Sequence, residues 1–396
     1  MYPADVVTPL LVGTGGLCLL ATGYLARLAI AARPLPAVAP STRWRFDVII
    51  PAHNEEVGLP ATLASVSGLD YPRENMRIVV VADNCTDGTS EIARAAGVTV
   101  LERVNDAQRG KGYALAHAFA WSAEQQWADA VVVIDADSTV SEGFLSAVAA
   151  QLEAGADAVQ ADYRVRNVDA RWRTQLLELA FTLHHTVRSL GRARLGVSCG
   201  LRGNGMAFRH STLTRVPYAA FSVVEDIEYG ILLGLSGVRV VYAPDADVRG
   251  DMPETGGEAA RAQRERWEVG RRSLRAKWTA PLWRVAWRPQ PYAADLLADL
   301  LVPPLAVVAV TVLAGLTVSS LAILAGVSRF GIVPWIFSAV ALLVYIVQGI
   351  RLTGDPGASL RALARAPIYI VWKMLGRRRS AAQQGEWVRT ARASES

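Results

Sequence analysis

Two hydrophobic patterns divide the chain. The first is unbroken: residues 6–26 (VVTPLLVGTGGLCLLATGYLA) carry no charge, and at ~1.5 Å per helical residue they just cross a hydrocarbon core of roughly 30 Å. A second uncharged zone covers residues 300–328 and 331–350, interrupted at Arg329. One spanning helix near the N-terminus (1–30) and a helical hairpin (296–352) are therefore expected, the longer first arm tilted or kinked at Pro303-Pro304. A cleaved signal peptide is the alternative for 6–26, opposed by Asp5 where a basic region would stand and by the Arg residues that follow. Arg27, Arg33, Arg43 and Arg45 lie after the first helix, so the positive-inside rule puts the N-terminus outside and the following domain in the cytoplasm, in a multi-pass protein of the cell (inner or plasma) membrane.

The second pattern is alternation. Residues 48–50, 78–81 and 131–134 are short β-branched apolar runs, as expected for parallel strands buried on both faces. Between them Leu59, Leu63 and Val66 recur at helical spacing, as do Phe144, Val148 and Leu152 behind an expected N-cap at Ser141. A helix from about 226 to 236 and a strand over 238–242 are also expected. The β-α-β-α order predicts an α/β sheet in a cytoplasmic domain over 44–275. Trp278, Pro281, Trp283, Trp287 and Pro289, interleaved with Arg and Lys, give 276–295 the composition of an interfacial belt. Residues 360–396 read as an interfacial helix, around 367–375, and a basic tail on anionic lipid.

Composition agrees: 52% hydrophobic against 19% charged residues, with mean hydropathy +0.23, excludes a disordered or purely soluble chain. Three cysteines exclude a disulfide scaffold, and a net charge of +5 suits anionic lipid better than nucleic acid.

In open α/β sheets ligands bind beyond the carboxyl ends of the strands. Here the first strand runs into Pro51, His53, Glu55 and Glu56, the second into Asp83 and Asp87, the third into Asp135 and Asp137. Three acidic ends converging on one crevice call for a cation, and oxygen-only ligands favour Mg²⁺ or Mn²⁺. The alternative is ordinary turns, which also favour Asp, Asn and Gly. No phosphate-cradling glycine motif is present, so a diphosphate is expected to be held mainly through metal. Lys111, in a glycine-flanked loop, either adds charge there or is a solvated lysine. His184-His185 reads as the polar edge of a helix, and Asp245 and Asp247 follow the strand over 238–242 as candidate lesser site residues.

In order along the chain, VIIPAHNEE (48–56), VVADNCTDGT (80–89), DAD (135–137), GNGMAFR (203–209), VED (224–226) and QRERW (263–267) resemble the motifs of membrane-integrated family 2 glycosyltransferases. That group includes the cellulose, hyaluronan, chitin-oligosaccharide and poly-N-acetylglucosamine synthases. The resemblance implies a GT-A domain flanked by transmembrane α-helices, a nucleotide-sugar donor, a UDP-sugar foremost, and a single inverting displacement. Pro51, His53, Glu55, Asp83, Lys111, Asp135 and Arg266 would bind the donor, and Asp135 and Asp137 the metal. Gly203, Asn204, Gln263 and Trp267 would meet the acceptor. Asp226 would be the catalytic base, with Glu225 beside it to separate the two pKa values.

Two products fit. One is a growing cell-surface polysaccharide, whose export through only three spans would need a homo-oligomer or a partner. The other is a membrane lipid carrying one added sugar, the lipid being a polyprenyl phosphate, a diacylglycerol or ceramide-like. A catalytically silent scaffold subunit and a transporter fit the intact acidic motifs and uncharged spans less well.

Overall fold

The computed structural model describes residues 3–254, 258–288 and 292–369. It begins with α1 (Pro3–Ala31), β1 (Phe46–Ala52), α2 (Leu59–Ser67), β2 (Met76–Asp83), α3 (Thr89–Ala95), β3 (Thr99–Arg103), α4 (Lys111–Gln125), β4 (Ala130–Val133), β5 (Ser138–Val140), α5 (Phe144–Glu153) and β6 (Ala158–Val165). There follow α6 (Trp172–Phe181), a π-helical segment (Thr182–Val187), α7 (Arg188–Arg194), β7 (Met206–Arg209), α8 (His210–Arg215), α9 (Glu225–Leu235) and β8 (Val240–Gly250). The last elements are α10 (Glu258–Ala286), α11 (Ala293–Leu301), α12 (Leu305–Leu324), α13 (Val333–Leu352) and α14 (Pro356–Ala364).

Eight strands form one sheet in the order β3-β2-β1-β4-β7-β6-β8-β5. The first four are mutually parallel, as the apolar runs of β1, β2 and β4 predict, whereas β7 runs antiparallel to both β4 and β6. Period-two geometry splits each buried strand between two cores. Val48, Ile50, Val80 and Val132 face α2 and α5, and Ile49, Val79, Val81, Val131 and Val133 face α4, α7 and α9.

Several expected boundaries move. Helix α5 begins at Phe144 with Gly143 as its cap residue. Ser141 instead sits in the preceding turn, its carbonyl accepting the Phe144 N–H at 3.0 Å. The strand expected over 238–242 runs on to Gly250, with a register shift opposite Ala161 and Asp162. Asp245 and Asp247 therefore lie within it rather than after it. His184 and His185 fall in the π-helical segment, their rings 5.1 Å apart beside Phe181, so they are not a polar edge.

Three described helices are long and apolar enough to cross a membrane: Val6–Ala31, Leu305–Leu324 and Arg329–Leu352. The hairpin's first arm is not one kinked helix. Pro303 and Pro304 lack N–H donors and disfavour helix before them, so α11 stops at Leu301 and α12 starts afresh at Leu305. Helix α11 lies separately, burying Leu296, Leu297 and Leu300 against Leu274 and Leu282 of α10. Helix α10 runs unbroken through the boundary expected at 275 and ends near the exposed pair Trp283 and Trp287. Of the expected interfacial helix and basic tail, residues 370–396 lie outside the described residues.

The spans are not loosely tethered. Leu25 and Ala29 of α1 and Tyr345 of α13 belong to the same core as the sheet. Gly191 of α7 lies so close to α1 that a Cβ there would run into the Leu28 carbonyl.

Candidate active site

Strands β1 and β2 end side by side, Pro51 against Val81 and Ala52 against Ala82. Pairing of β1 with β4 stops at Ile49 and Val133, so Pro51, without an N–H, stands where that ladder has already ended. Both strands then turn through asparagines in the left-handed region, Asn54 at φ 55° and Asn84 at φ 51°, a conformation Asn tolerates better than most residues. The turns clasp each other. His53 Nδ1 lies 2.7 Å from the Asp83 carbonyl oxygen, the Thr86 N–H donates to Asn54 Oδ1 at 2.7 Å, and the Glu55 N–H donates to Thr89 Oγ1 at 2.9 Å. Asp83 is fully buried, with Oδ1 held by Arg103 Nη1 at 2.6 Å and Oδ2 left without a hydrogen-bond partner.

A second group forms around the turn between β4 and β5. Asn204 is fully buried and pins this turn from below: its Oδ1 accepts the Asp135 N–H at 3.1 Å and its Nδ2 donates to Ser138 Oγ at 2.8 Å. Ser138 Oγ lies 3.1 Å from Asp137 Oδ1. Lys111 opens α4 rather than sitting in a solvated loop, because Gly112 packs so tightly under the Ala220 carbonyl that a Cβ would not fit. Its Nζ donates to Asp135 Oδ1 and the Gly203 carbonyl, both at 2.5 Å, and stands 3.7 Å from Glu225 Oε1.

Glu225 and Asp226 start α9, where the helix dipole favours negative charge. Gly203, at φ 82°, leaves room for Asp226; a Cβ there would lie 3.3 Å from Asp226 Oδ2. Gly270 of α10 packs onto Val224, laying α10 with Arg266 and Trp267 across this turn. Trp267 is 43% exposed. The side chain of Gln263, also on α10, lies outside the described residues.

Electrostatics tie the group together. Burial raises the carboxyl pKa values of Asp135 and Asp226 and lifts Glu225 to about 7, with the Lys111 ammonium opposing all three. Burial works against the Lys111 ammonium, but Asp135 and Glu225 outweigh it and hold its pKa above the ordinary lysine value. Burial lowers Arg266, opposed by Glu225 and Asp135, so its guanidinium feels the same carboxylates.

Two expectations need correction. The three acidic strand ends do not make one carboxylate cluster: Asp83 is neutralised by Arg103 and Asp135 by Lys111, and among the described residues no three His, Cys, Asp or Glu side chains gather as a metal site. Asn204 cannot reach an acceptor, because both ends of its buried amide are used within the protein. It holds the turn between β4 and β5. Asp135 and Asp137 still offer two hard oxygen donors, and Mg²⁺ or Mn²⁺ is commonly held by one or two carboxylates plus substrate phosphates, so the residues fit such an ion.

Residues 43–270 match the model of the family described as glycosyltransferase like family 2. The chain belongs to this family. Among its relatives are a probable glycosyltransferase of Bacillus subtilis, YdaM, 28% identical over 61% of this chain and 58% of its own length, and glucomannan 4-beta-mannosyltransferase 1 of Oryza sativa, 25% identical over 57% and 45%. The chain thus spans about half the length of the curated relatives it matches. A solved mannosyltransferase of Pyrobaculum calidifontis, determined with GDP-Man and Mn²⁺, superposes with a TM-score of 0.60 at 19% identity, covering 91% of this chain and 98% of that one. This family 2 member therefore has the GT-A fold over its mixed sheet, and the fold likeness extends into the apolar helices.

Proposed function

We propose that the protein is a membrane-bound inverting glycosyltransferase that moves a sugar from a nucleotide-sugar donor to a growing cell-surface polysaccharide. The observation carrying this reading is the raised carboxylate pair Glu225–Asp226 facing the Lys111–Asp135 pair across Gly203. One side of that gap is built to receive a proton, the other to hold a departing diphosphate.

In this reading the base of the nucleotide lies over the clasped turns, where the unpartnered Oδ2 of Asp83 accepts one of its N–H groups. Lys111 and Arg266 meet the diphosphate, relieving the charge that develops as the anomeric bond breaks. An Mg²⁺ or Mn²⁺ ion held by Asp135 and Asp137 would supply Lewis-acid stabilisation of that leaving group. Asp226 takes the proton of the attacking hydroxyl, its pKa raised for the task by burial, with Glu225 beside it. Trp267 offers a flat face for the acceptor sugar. The basic residues after α1, Arg27, Arg33, Arg43 and Arg45, support a cytoplasmic catalytic domain in a multi-pass plasma-membrane protein.

A second reading, transfer of one sugar to a membrane lipid, is favoured by the exposed Trp283–Trp287 pair at the end of α10. Both readings are tested with detergent-purified protein, Mn²⁺, radiolabelled UDP- and GDP-sugars and membrane lipid extract. A high-molecular-weight, lipase-resistant product is expected, a single labelled glycolipid would select the second reading, and transfer that survives Asp226→Asn would sink the assigned mechanism.

A further inference from the structure

Four arginines meet between the catalytic sheet and the apolar helices: Arg188 and Arg192 of α7, Arg202 before the 203–209 segment, and Arg271 of α10. Among the described residues the carboxylates within salt-bridge distance of them are Asp295 and Asp299 of α11, and the Asp226 carboxylate also interacts with Arg202. Arg188 Nη1 donates to Asp299 Oδ1 at 2.9 Å, Arg192 pairs with Asp295 at 3.0 Å and Asp299 at 3.3 Å, and Arg271 stands 3.9 Å from Asp299. Tyrosines from two spans join in, Tyr24 accepting from Arg192 at 2.9 Å and Tyr345 from Arg188 at 3.1 Å.

Positive charge is in excess and hydrogen-bond donors are left over. Arg202 is 7% exposed, yet its Nε has no partner, and neither has the buried Nε of Arg271. Burial, reinforced by the neighbouring arginines, lowers both guanidinium pKa values, Arg271 to about 10. Uncompensated buried cations are costly and are normally matched by an anion. Arg192, Arg202, Arg271 and Asp299 line a cavity of about 20 Å³, room for one water or one phosphate oxygen. Its wall includes Ile227 and Gly230, the residue after Asp226 and one a turn further along α9. A Cβ at Gly203, next to Arg202, would lie 3.3 Å from Asp226 Oδ2.

We propose that this arginine cavity receives one oxygen of a phosphate group carried by a membrane lipid, holding the lipid acceptor beside Asp226. The idea rests on the lipid-acceptor reading above and deepens it by assigning the residues that recognise the head group. The forked guanidinium groups of Arg202 and Arg271 suit phosphate oxygens. Tyr24 and Tyr345 place the cavity next to the spans, where such a lipid arrives.

The test is binding rather than turnover. Full-length protein in detergent is titrated with inorganic phosphate, dioctanoyl phosphatidic acid and dioctanoylglycerol, following tryptophan fluorescence, and separately with a nucleoside diphosphate plus Mn²⁺. Phosphatidic acid should bind at least tenfold more tightly than dioctanoylglycerol. Arg202→Gln and Arg271→Gln should each weaken it by about tenfold or more, the worth of one charge-assisted hydrogen bond, with nucleotide binding intact. Arg271→Lys keeps the charge and hence the fold, and should lose only part of the affinity, which carries the test should Arg202→Gln misfold. Inorganic phosphate binding with the same arginine dependence but no gain from the lipid chain would uphold a phosphate site and refute the lipid source. Phosphatidic acid binding indifferent to both arginines, or absent while nucleotide binds, would overturn the proposal. Loss of nucleotide binding in the parent protein counts against the glycosyltransferase reading instead.

Discussion

Replacing Asn204 by leucine, close in size, removes two side-chain hydrogen bonds from beneath the metal turn: the one accepted from the Asp135 N–H and the one donated to Ser138 Oγ. The Gln160 amide would still donate to the backbone carbonyl at 204, now 2.7 Å away, so the segment stays anchored. Each buried group left without a partner costs roughly 1–3 kcal/mol. The Asp135 N–H is left so, whereas Ser138 Oγ keeps Asp137 Oδ1 as a partner, so the loss is about 1–3 kcal/mol against the ~5–15 kcal/mol that holds a typical domain folded. The functional effect falls on Asp135 and Asp137, whose spacing the amide fixes; losing such an outer support commonly lowers metal affinity or activity about 10–100-fold. Initial rates of transfer are measured against Mn²⁺ concentration at fixed donor, alongside thermal unfolding. Half-saturation by Mn²⁺ should rise about 10–100-fold, with the acceptor KM little changed once metal is saturating. Unchanged metal dependence together with a raised acceptor KM would refute this reasoning and return Asn204 to the acceptor role its motif suggests.

Burial and nearby arginines depress the pKa values of His184 and His185 well below 6.5. Both are therefore neutral in the folded state, and stability is complete above about pH 6.5. It falls as pH drops below that value, because the unfolded chain binds the protons first, by up to ~1.4 kcal/mol per pH unit for each histidine. Thermal unfolding of a His184→Gln, His185→Gln double variant should show a flatter slope from pH 6.5 downward, and an identical slope would count against buried neutral imidazoles. Arg192→Met removes the arginine paired with Asp295, while Asp299 keeps Arg188, at a site where Arg192 is 1% exposed, and should cost about 3–5 kcal/mol in unfolding experiments; a loss below about 1 kcal/mol, typical of a surface pair, would show that the network relaxes. Since burial lifts Glu225 to about 7 and raises Asp226 as well, the acid limb of kcat/KM should lie above the ordinary carboxylate value of about 4, and one at that value would exclude this pair from the proton transfer.

The elements legible in the sequence are those whose cause is local. Val48 to Ile50, with both neighbours apolar, reads as a strand buried on two faces, and β1 is buried at every position. The uncharged runs read equally directly as membrane-length helices. What stayed hidden depends on distant partners. Nothing near Asp83 announces that Arg103, twenty residues on, neutralises it, and a pattern of acids at strand ends therefore suggested more unpaired charge than there is. The asparagine in GNG looks exposed between two glycines, yet those glycines let the chain turn it under the sheet's edge. The proline pair at 303–304 was visible, but whether it bends or breaks a helix depends on α10, which gives α11 its own apolar surface to cover.

The core that joins Leu25 to the sheet and to Tyr345 also sets a timetable. At about 5–20 residues per second, the ribosome needs on the order of half a minute to travel from the first of these residues to the last. From the completion of β8 at Gly250 until Tyr345 is made, the nascent sheet has an apolar flank that its own residues do not cover. A fragment expressed without the apolar helices would carry the same open flank permanently, so trimming this protein to residues 44–275 should yield inclusion bodies where the whole chain stays dispersed in detergent.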